Sequence, residues 1–476
     1  MNNVSEIGKA PIGRLLLKFS LPTIAVMLLN GLYNVIDRIF VGQGLGTQGI
    51  AAVTAAFPLM LVSIAVGGLL GVGSSTLISI ALGEKKNAEA RSILGQTFSV
   101  TIAAAVVVAA ATFLVMTPAL RLLGASGRLL PMAREYLSII LLGFLFQIPS
   151  MGIAGALRCQ GRPRASMAAT AAGVVVNALL APLFIFGFHW GLAGAAWATV
   201  ASQAVAFVIT VALIQDRKNL LRIEVTSLQP APATIGRIAF IGAPVGIVNL
   251  IQTGVFAVAN GSVAVYGGGL GIAMVGIVNT VYLFASFPVQ GISQGAQAIW
   301  GFNYGAGNYA RVRALLWMVL GYSTAVSLLL TGVIEFFPRT LVSVFISRDA
   351  KLLSLGAHGL SIFFLGFVLF GLNAATAQFF LAIGKPAHAT LLLVTRNGLL
   401  IAGMVILPRW LGLDGVLFAG PASDILTAAL SGVLLKRGLR QLGSSRILSD
   451  GVAGVPPLPH RLVEIGGVSV MHSTQE

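Results

Sequence analysis

Apolar runs of about 20 residues, parted by short polar breaks, fill nearly all of the chain from Leu15 to Leu435. A run of that length matches an α-helix crossing the ~30 Å hydrocarbon core of a bilayer. Inside that core the backbone can satisfy its N–H and C=O groups only within its own segment, so a helix is the physical solution. The pattern predicts helices near 15–41, 50–82, 92–117, 133–157, 163–188, 190–214, 236–263, 270–303, 311–335, 356–381, 387–408 and 411–435. The expected fold is therefore an all-α integral membrane protein of twelve transmembrane helices. The second and eighth stretches exceed what a bilayer needs, which implies tilt, a kink or an extension beyond it. Around His189 the connection is so short that the fifth and sixth spans are the least clearly separate.

Composition agrees with this picture. Hydrophobic residues make up 57% of the 476 positions and charged residues only 9%, against about 25% charged in soluble domains. The 57 glycines suit close helix–helix approach in membranes. A net charge of +16 raises the question of a nucleic-acid partner, but the basic residues sit in short clusters on the connections and read as topology signals. Lys85, Lys86, Arg91, Arg158, Arg162, Arg164, Arg217, Lys218, Arg222, Arg237, Arg311 and Arg313 fall on one side with both ends of the chain. Arg38, Arg121, Arg128, Arg134, Arg339 and Arg409 fall on the other. The positive-inside rule then places both termini in the cytoplasm of a multi-pass inner-membrane protein. The first apolar stretch is too long for a signal-peptide core and is expected to be retained as a span. Cys159 is the only cysteine, so no intrachain disulfide can form.

The two halves repeat each other. Pro22 pairs with Pro244 (244 − 22 = 222), and Gly73 with Gly295, Gly83 with Gly305 and Arg91 with Arg313 keep the same offset. Gln160-Gly161-Arg162-Pro163 matches Ile383-Gly384-Lys385-Pro386, and Gly191-Leu192-Ala193-Gly194 matches Gly412-Leu413-Asp414-Gly415, within one residue of it. An even number of spans per copy gives both copies one orientation, so they form two tandem six-helix bundles related by a pseudo-twofold along the membrane normal. The organisation read from this is an N-terminal bundle at 1–216, a cytoplasmic linker at 217–235, a C-terminal bundle at 236–440 and a Gly/Ser/Pro-rich disordered tail at 441–476. Parallel repeats of this kind enclose a substrate cavity and rock between inward- and outward-open states.

Acids within spans are costly and so are functional candidates. On the first helix Asn30, Tyr33, Asn34 and Asp37 stack on one face, which offers a partly dehydrated carboxylate able to take and release a proton or hold Na⁺. The competing reading is that Asp37 only pairs with Arg38 near the headgroups. Asp424, with Thr427 and Ser431, makes a second stripe on the last helix, either functional or fixing helix packing. Gln252, Asn260, Gln290, Gln294, Gln297 and Asn373 are uncharged polar positions that could line the cavity, and Asn177 lies on the fifth helix. No phosphate-binding loop, metal-ligand spacing or nucleophile motif is present, which excludes direct ATP coupling and leaves an enzyme or accessory-subunit reading without a catalytic cluster.

Three stretches resemble the multidrug and toxic-compound extrusion family: Asn34-Val35-Ile36-Asp37-Arg38 through Gly42, Gly301-Phe302-Asn303-Tyr304-Gly305-Ala306-Gly307-Asn308 with Arg311, and Asn177 to Phe186 followed by Gly191–Ala196. The resemblance implies a V-shaped pair of six-helix bundles exporting amphipathic cations against inward H⁺ or Na⁺ flow, without a cofactor. Ion coupling would fall on Asp37, with Asn34 and Asn177 as neighbours. The family's fifth-helix Asn-x-x-x-Asp-Pro reads Asn177-Ala178-Leu179-Leu180-Ala181-Pro182 here. A second carboxylate is thus missing, and Asp424 stands as a candidate for part of its role. A lipid-linked sugar flippase of the same superfamily is the alternative, although Arg396 is the one basic residue clearly inside a span. The expected partners are small molecules and the bilayer, with no nucleic acid, and a monomer is expected.

Overall fold

A computed structural model describes residues 3–345 and 350–443. The segment read as a disordered tail therefore lies, from residue 444 onward, outside the described residues. Every regular element described is a helix. Two helices are far too long for a single crossing. Ile12–Gly83 and Pro232–Gly305 run 72 and 74 residues, over 100 Å each at ~1.5 Å per residue. Each doubles back at a single glycine, Gly46 (φ 62°, ψ −153°) and Gly268 (φ 57°, ψ −154°). That backbone region is essentially closed to residues with a Cβ.

The other spans are Asn87–Leu122, Leu129–Cys159, Pro163–Gly187, Gly191–Ile214, Tyr309–Phe336, Pro386–Leu411 and Leu413–Gly443. A tenth span is made by Ala350–Phe364 and Phe367–Ala382, bent by 46° at their junction. With both long helices crossing twice, this gives twelve transmembrane helices. The fifth and sixth spans are separate after all. A π-helical turn at Leu183–Gly187 ends the fifth, and His189 and Gly191, at φ 56° and 58°, reverse the chain.

Backbone geometry repeats as the sequence does. Positive φ recurs at Gly46 and Gly268, Lys85 and Gly307, Gly161 and Gly384, and Gly191 and Gly412. Four positive-φ positions of the first half thus have mates in the second.

The apolar core is divided in a way that fixes the shape. One cluster is shared by both halves and includes Leu77, Ile78, Leu94 and Leu157 from the first and Ile238, Trp300, Leu316 and Phe380 from the second. It lies toward the face carrying the basic connections. Two further clusters stay within single halves: Val41, Tyr136, Phe144 and Ile185 in the N-lobe, and Val263, Met274, Phe367 and Val416 in the C-lobe. The lobes thus fuse at the basic face and have separate interiors toward the opposite face. At the fused end a Cβ on Gly83 would collide with the Phe302 carbonyl, and one on Gly305 with that of Ile80. These reciprocal close approaches, between repeat mates, are the pseudo-twofold seen at atomic scale. Gln297 adds a polar seam, donating from Nε2 to Thr76 Oγ1 at 3.0 Å and Ser75 Oγ at 3.2 Å.

Candidate functional site

The first span carries its polar stripe into the N-lobe interior. Asp37 is 8% exposed, and its Oδ1 is buried without a hydrogen-bond partner among the described residues. Arg38 lies within electrostatic reach of Asp37 but is not its ion-pair partner among the described residues: it is exposed, and its guanidinium lies 5.9 Å from the Phe57 ring centre. Tyr33 Oη is 3.1 Å from Thr199 Oγ1 of the sixth span, so the stripe is tied to a neighbouring helix. Tyr136, from the fourth span and 1% exposed, lies within coulombic reach of both Asp37 and Tyr33. Asn30 is exposed, and the side chain of Asn34 lies outside the described residues.

Asn177 is fully buried on the fifth span, which packs against the first, and neither amide atom has a partner among the described residues. One turn further on, Ala181 is also fully buried. An unpartnered buried polar atom costs about 1–3 kcal/mol, and native proteins leave few of them. A carboxylate oxygen and an amide oxygen left in this condition are oxygen donors suited to a proton or a small hard cation. A charged, buried Asp37 without a counter-cation is a costly state.

The C-lobe solves the same problem internally. Arg396 Nε donates to Asp424 Oδ1 at 2.6 Å and Nη2 to Oδ2 at 3.4 Å; Nη2 also donates to Tyr282 Oη at 3.0 Å. The guanidinium lies 5.2 Å from the Phe370 ring centre, and Phe363, Phe364, Phe367 and Phe370 all pack their rings against Tyr282. Asn373 Nδ2 donates to the Asp424 carbonyl at 3.0 Å, while its Oδ1 accepts from Ser431 Oγ at 2.9 Å. Asp424 is thus a paired acid within a tied network. Arg396, a lone span cation in the sequence, is its counter-charge, and Tyr282, which no sequence pattern marks, completes the network.

The glutamines separate. Gln290 is occupied with Ser286 Oγ at 2.9 Å, and Gln297, 3% exposed, belongs to the seam between lobes. Gln252 and Gln294 are half-buried and Asn260 is exposed. No cluster of three or more His, Cys, Asp or Glu positioned for a metal occurs among the described residues.

A model of the MatE family matches residues 22–183 and again residues 244–406, one copy in each lobe. The chain belongs to the MatE family. Its similarity to individual MatE-type proteins is distant in sequence and extensive in coverage. It is 25% identical to the multidrug export protein MepA of Staphylococcus haemolyticus over 89% of this chain and 93% of that protein. To MepA of Staphylococcus aureus it is 24% identical, over 91% and 95%. Among solved structures, an outward-facing multidrug-resistance MATE transporter of the MOP superfamily superposes with a TM-score of 0.88 at 22% identity, covering 93% of this chain and 99% of that one. A MOP-superfamily transporter from Pyrococcus furiosus superposes at 0.85, also at 22% identity, covering 94% and 99%. These likenesses establish the fold as that of MatE transporters.

Proposed function

We propose that this MatE chain is a secondary active multidrug exporter that exchanges H⁺ or Na⁺ for small amphipathic, often cationic, molecules by alternating access between its lobes. The observation that carries the proposal is the condition of Asp37: a buried carboxylate that, among the described residues, has an unpartnered oxygen and no ion pair, on a span of the N-lobe. An inward-moving cation can neutralise such a group, and its departure would favour a different lobe arrangement. Asn177 would complete the ion's oxygen shell, and Asn34 is kept as a neighbour. Asp424 remains a second coupling candidate only if its ion pair with Arg396 opens during the cycle. Asn30, Tyr33, Gln252, Asn260, Gln290 and Gln294 are proposed as substrate-facing positions, Gln297 as a seam residue and Asn373 as a positioning residue for Asp424.

Topology follows the same reading. The positive-inside rule makes the basic face cytoplasmic, in an inner membrane, with both chain ends on that side and the chain acting as a monomer. With that sidedness, the fused basic face and separate opposite cores correspond to an outward-facing state. The flippase alternative has no support: Arg396, the span cation that would hold a diphosphate, is committed to Asp424 and Tyr282. The chain is not an enzyme.

The test is efflux of a fluorescent lipophilic cation from proteoliposomes of controlled orientation under imposed H⁺ or Na⁺ gradients, for wild type and Asp37→Asn. Gradient-driven movement that vanishes in Asp37→Asn is expected, and the effective gradient names the ion. Unchanged movement in the variant would remove Asp37 from the coupling role, and no movement under either gradient would remove the multidrug reading.

A further inference from the structure

A groove of about 580 Å³ opens on the basic face of the N-lobe, lined by Arg14, Leu17, Lys18 and Leu21 of the first span, Arg164 of the fifth and Glu6 of the short N-terminal helix. Residues 14, 17, 18 and 21 fall on one helical stripe. Along it, Arg14 stands nearest the basic end, Leu17 and Lys18 follow one turn on, and Leu21 lies one turn deeper. The fifth span repeats that order, with Arg164 above Met167. Lys18 is already engaged, its Nζ 2.6 Å from Glu6 Oε2. Arg14 and Arg164 are exposed, and neither makes an ion pair among the described residues.

The groove lies at headgroup depth. The first span, residues 12–45, is roughly 50 Å long at ~1.5 Å per residue, well beyond the ~30 Å hydrocarbon core. The cations Lys9, Arg14 and Lys18 at this end place the first turns in the interface. Leu17 and Leu21 are 60% and 61% exposed, an apolar strip leading from the cations toward the hydrocarbon side. A ligand matching this order needs an anionic head and an apolar body continuing into the bilayer. Basic pockets between membrane helices recognise such lipids by charge.

We infer that Arg14 and Arg164 form a binding site for an anionic glycerophospholipid of the leaflet on the basic face, with its phosphate between the two guanidinium groups and its acyl chains along Leu17 and Leu21. The lipid bridges the basic ends of the first and fifth spans. Those are the helices that carry Asp37 and Asn177, so its occupancy bears on how they sit at the candidate coupling site. The binding itself is independent of whether Asp37 couples transport.

The experiment is native mass spectrometry of the purified full chain titrated with phosphatidylglycerol, phosphatidylcholine or inorganic phosphate, for wild type and Arg14→Gln/Arg164→Gln. At about 1 kcal/mol per basic residue near an anionic surface, removing both arginines is expected to weaken phosphatidylglycerol retention about 30-fold. Phosphatidylcholine retention should be alike in both proteins, and thermal unfolding in phosphatidylcholine nanodiscs should show the variant folded. Equal retention of phosphatidylglycerol and phosphatidylcholine by wild type would overturn the proposal without reference to any variant. Retention of phosphatidylglycerol unchanged in a folded variant would do the same. Displacement of the lipid by millimolar inorganic phosphate would reassign the groove to a free oxoanion.

Discussion

Asp37 and Asp424 are both aspartates within spans, and their surroundings make them opposites. Asp424 is held by a guanidinium, a phenol is tied to that guanidinium, and an amide holds its backbone. Removing one member of a buried pair strands the other and costs roughly 3–5 kcal/mol. Asp424→Asn is therefore expected to lower the thermal unfolding temperature markedly. The volume-matched double change Asp424→Leu/Arg396→Met should recover most of that loss, because apolar replacements of a buried pair are often neutral or stabilising. Asp37→Asn should leave the unfolding temperature equal or raised, since it removes a buried charge that has no ion pair. A marked destabilisation by Asp37→Asn would mean that the carboxylate is structurally paired, and the coupling proposal would lose its basis. Transport separates the two further: if Asp424→Asn transports like wild type while Asp37→Asn does not, a shared coupling role for Asp424 is excluded. Asp37 stood out in the sequence because an acid in an apolar run has few structural excuses. Thr199 and Tyr136 did not, because a threonine and a tyrosine are ordinary in spans and only tertiary packing brings them to Tyr33 and Asp37. The pair of Arg396 and Asp424 carries a signal, opposite charges in consecutive spans, that is legible only when the two spans are read together.

At the level of elements, hydropathy located the spans and misjudged how some are joined. The gap expected between the first two spans is filled by helix on both sides of one residue, Gly46. Period and hydropathy report which residues face lipid; they do not report that helical hydrogen bonding can resume immediately after a glycine with positive φ. The two breaks differ in a way that can be measured. A Cβ at Gly46 or Gly268 would meet nothing within 4 Å, so substitution costs backbone strain alone, about 1–3 kcal/mol. Gly46 stands between Leu45 and Thr47, neither of which can take over its conformation cheaply. Gly268 stands between Gly267 and Gly269, either of which can. Gly46→Ala is expected to lower stability by the full amount and Gly268→Ala by a small fraction of it, read as unfolding temperatures in detergent. Equal losses would show that the C-lobe break is fixed by its packing and not by local glycine freedom.

For the whole molecule, the offset of 222 residues visible in the sequence predicted the lobes and their axis; which end of the lobes is closed was not visible. Glycine pairs mark close approach, but both the fused and the open ends of such a transporter contain glycines, and only the three-dimensional arrangement tells Gly83 against Phe302 from Gly46 with nothing near it. Alternating access requires the fused basic side to part, and this can be tested across a single contact. A Cβ at Gly68, on the second span, would lie 3.2 Å from Val245 Cγ1 on the seventh, and a cysteine Sγ in the place of that Cγ1 would be near enough for Gly68→Cys/Val245→Cys to close a disulfide. The buried Cys159 would be replaced by alanine first, so that the new pair provides the only thiols. Oxidised double-cysteine protein is expected to lose gradient-driven dye efflux, and reduction should restore it, while each single-cysteine variant transports throughout. If the fully cross-linked protein transports at the wild-type rate, the lobes do not separate at this level. The rocking motion would then have to pivot about this contact, with the helices bending on either side of it.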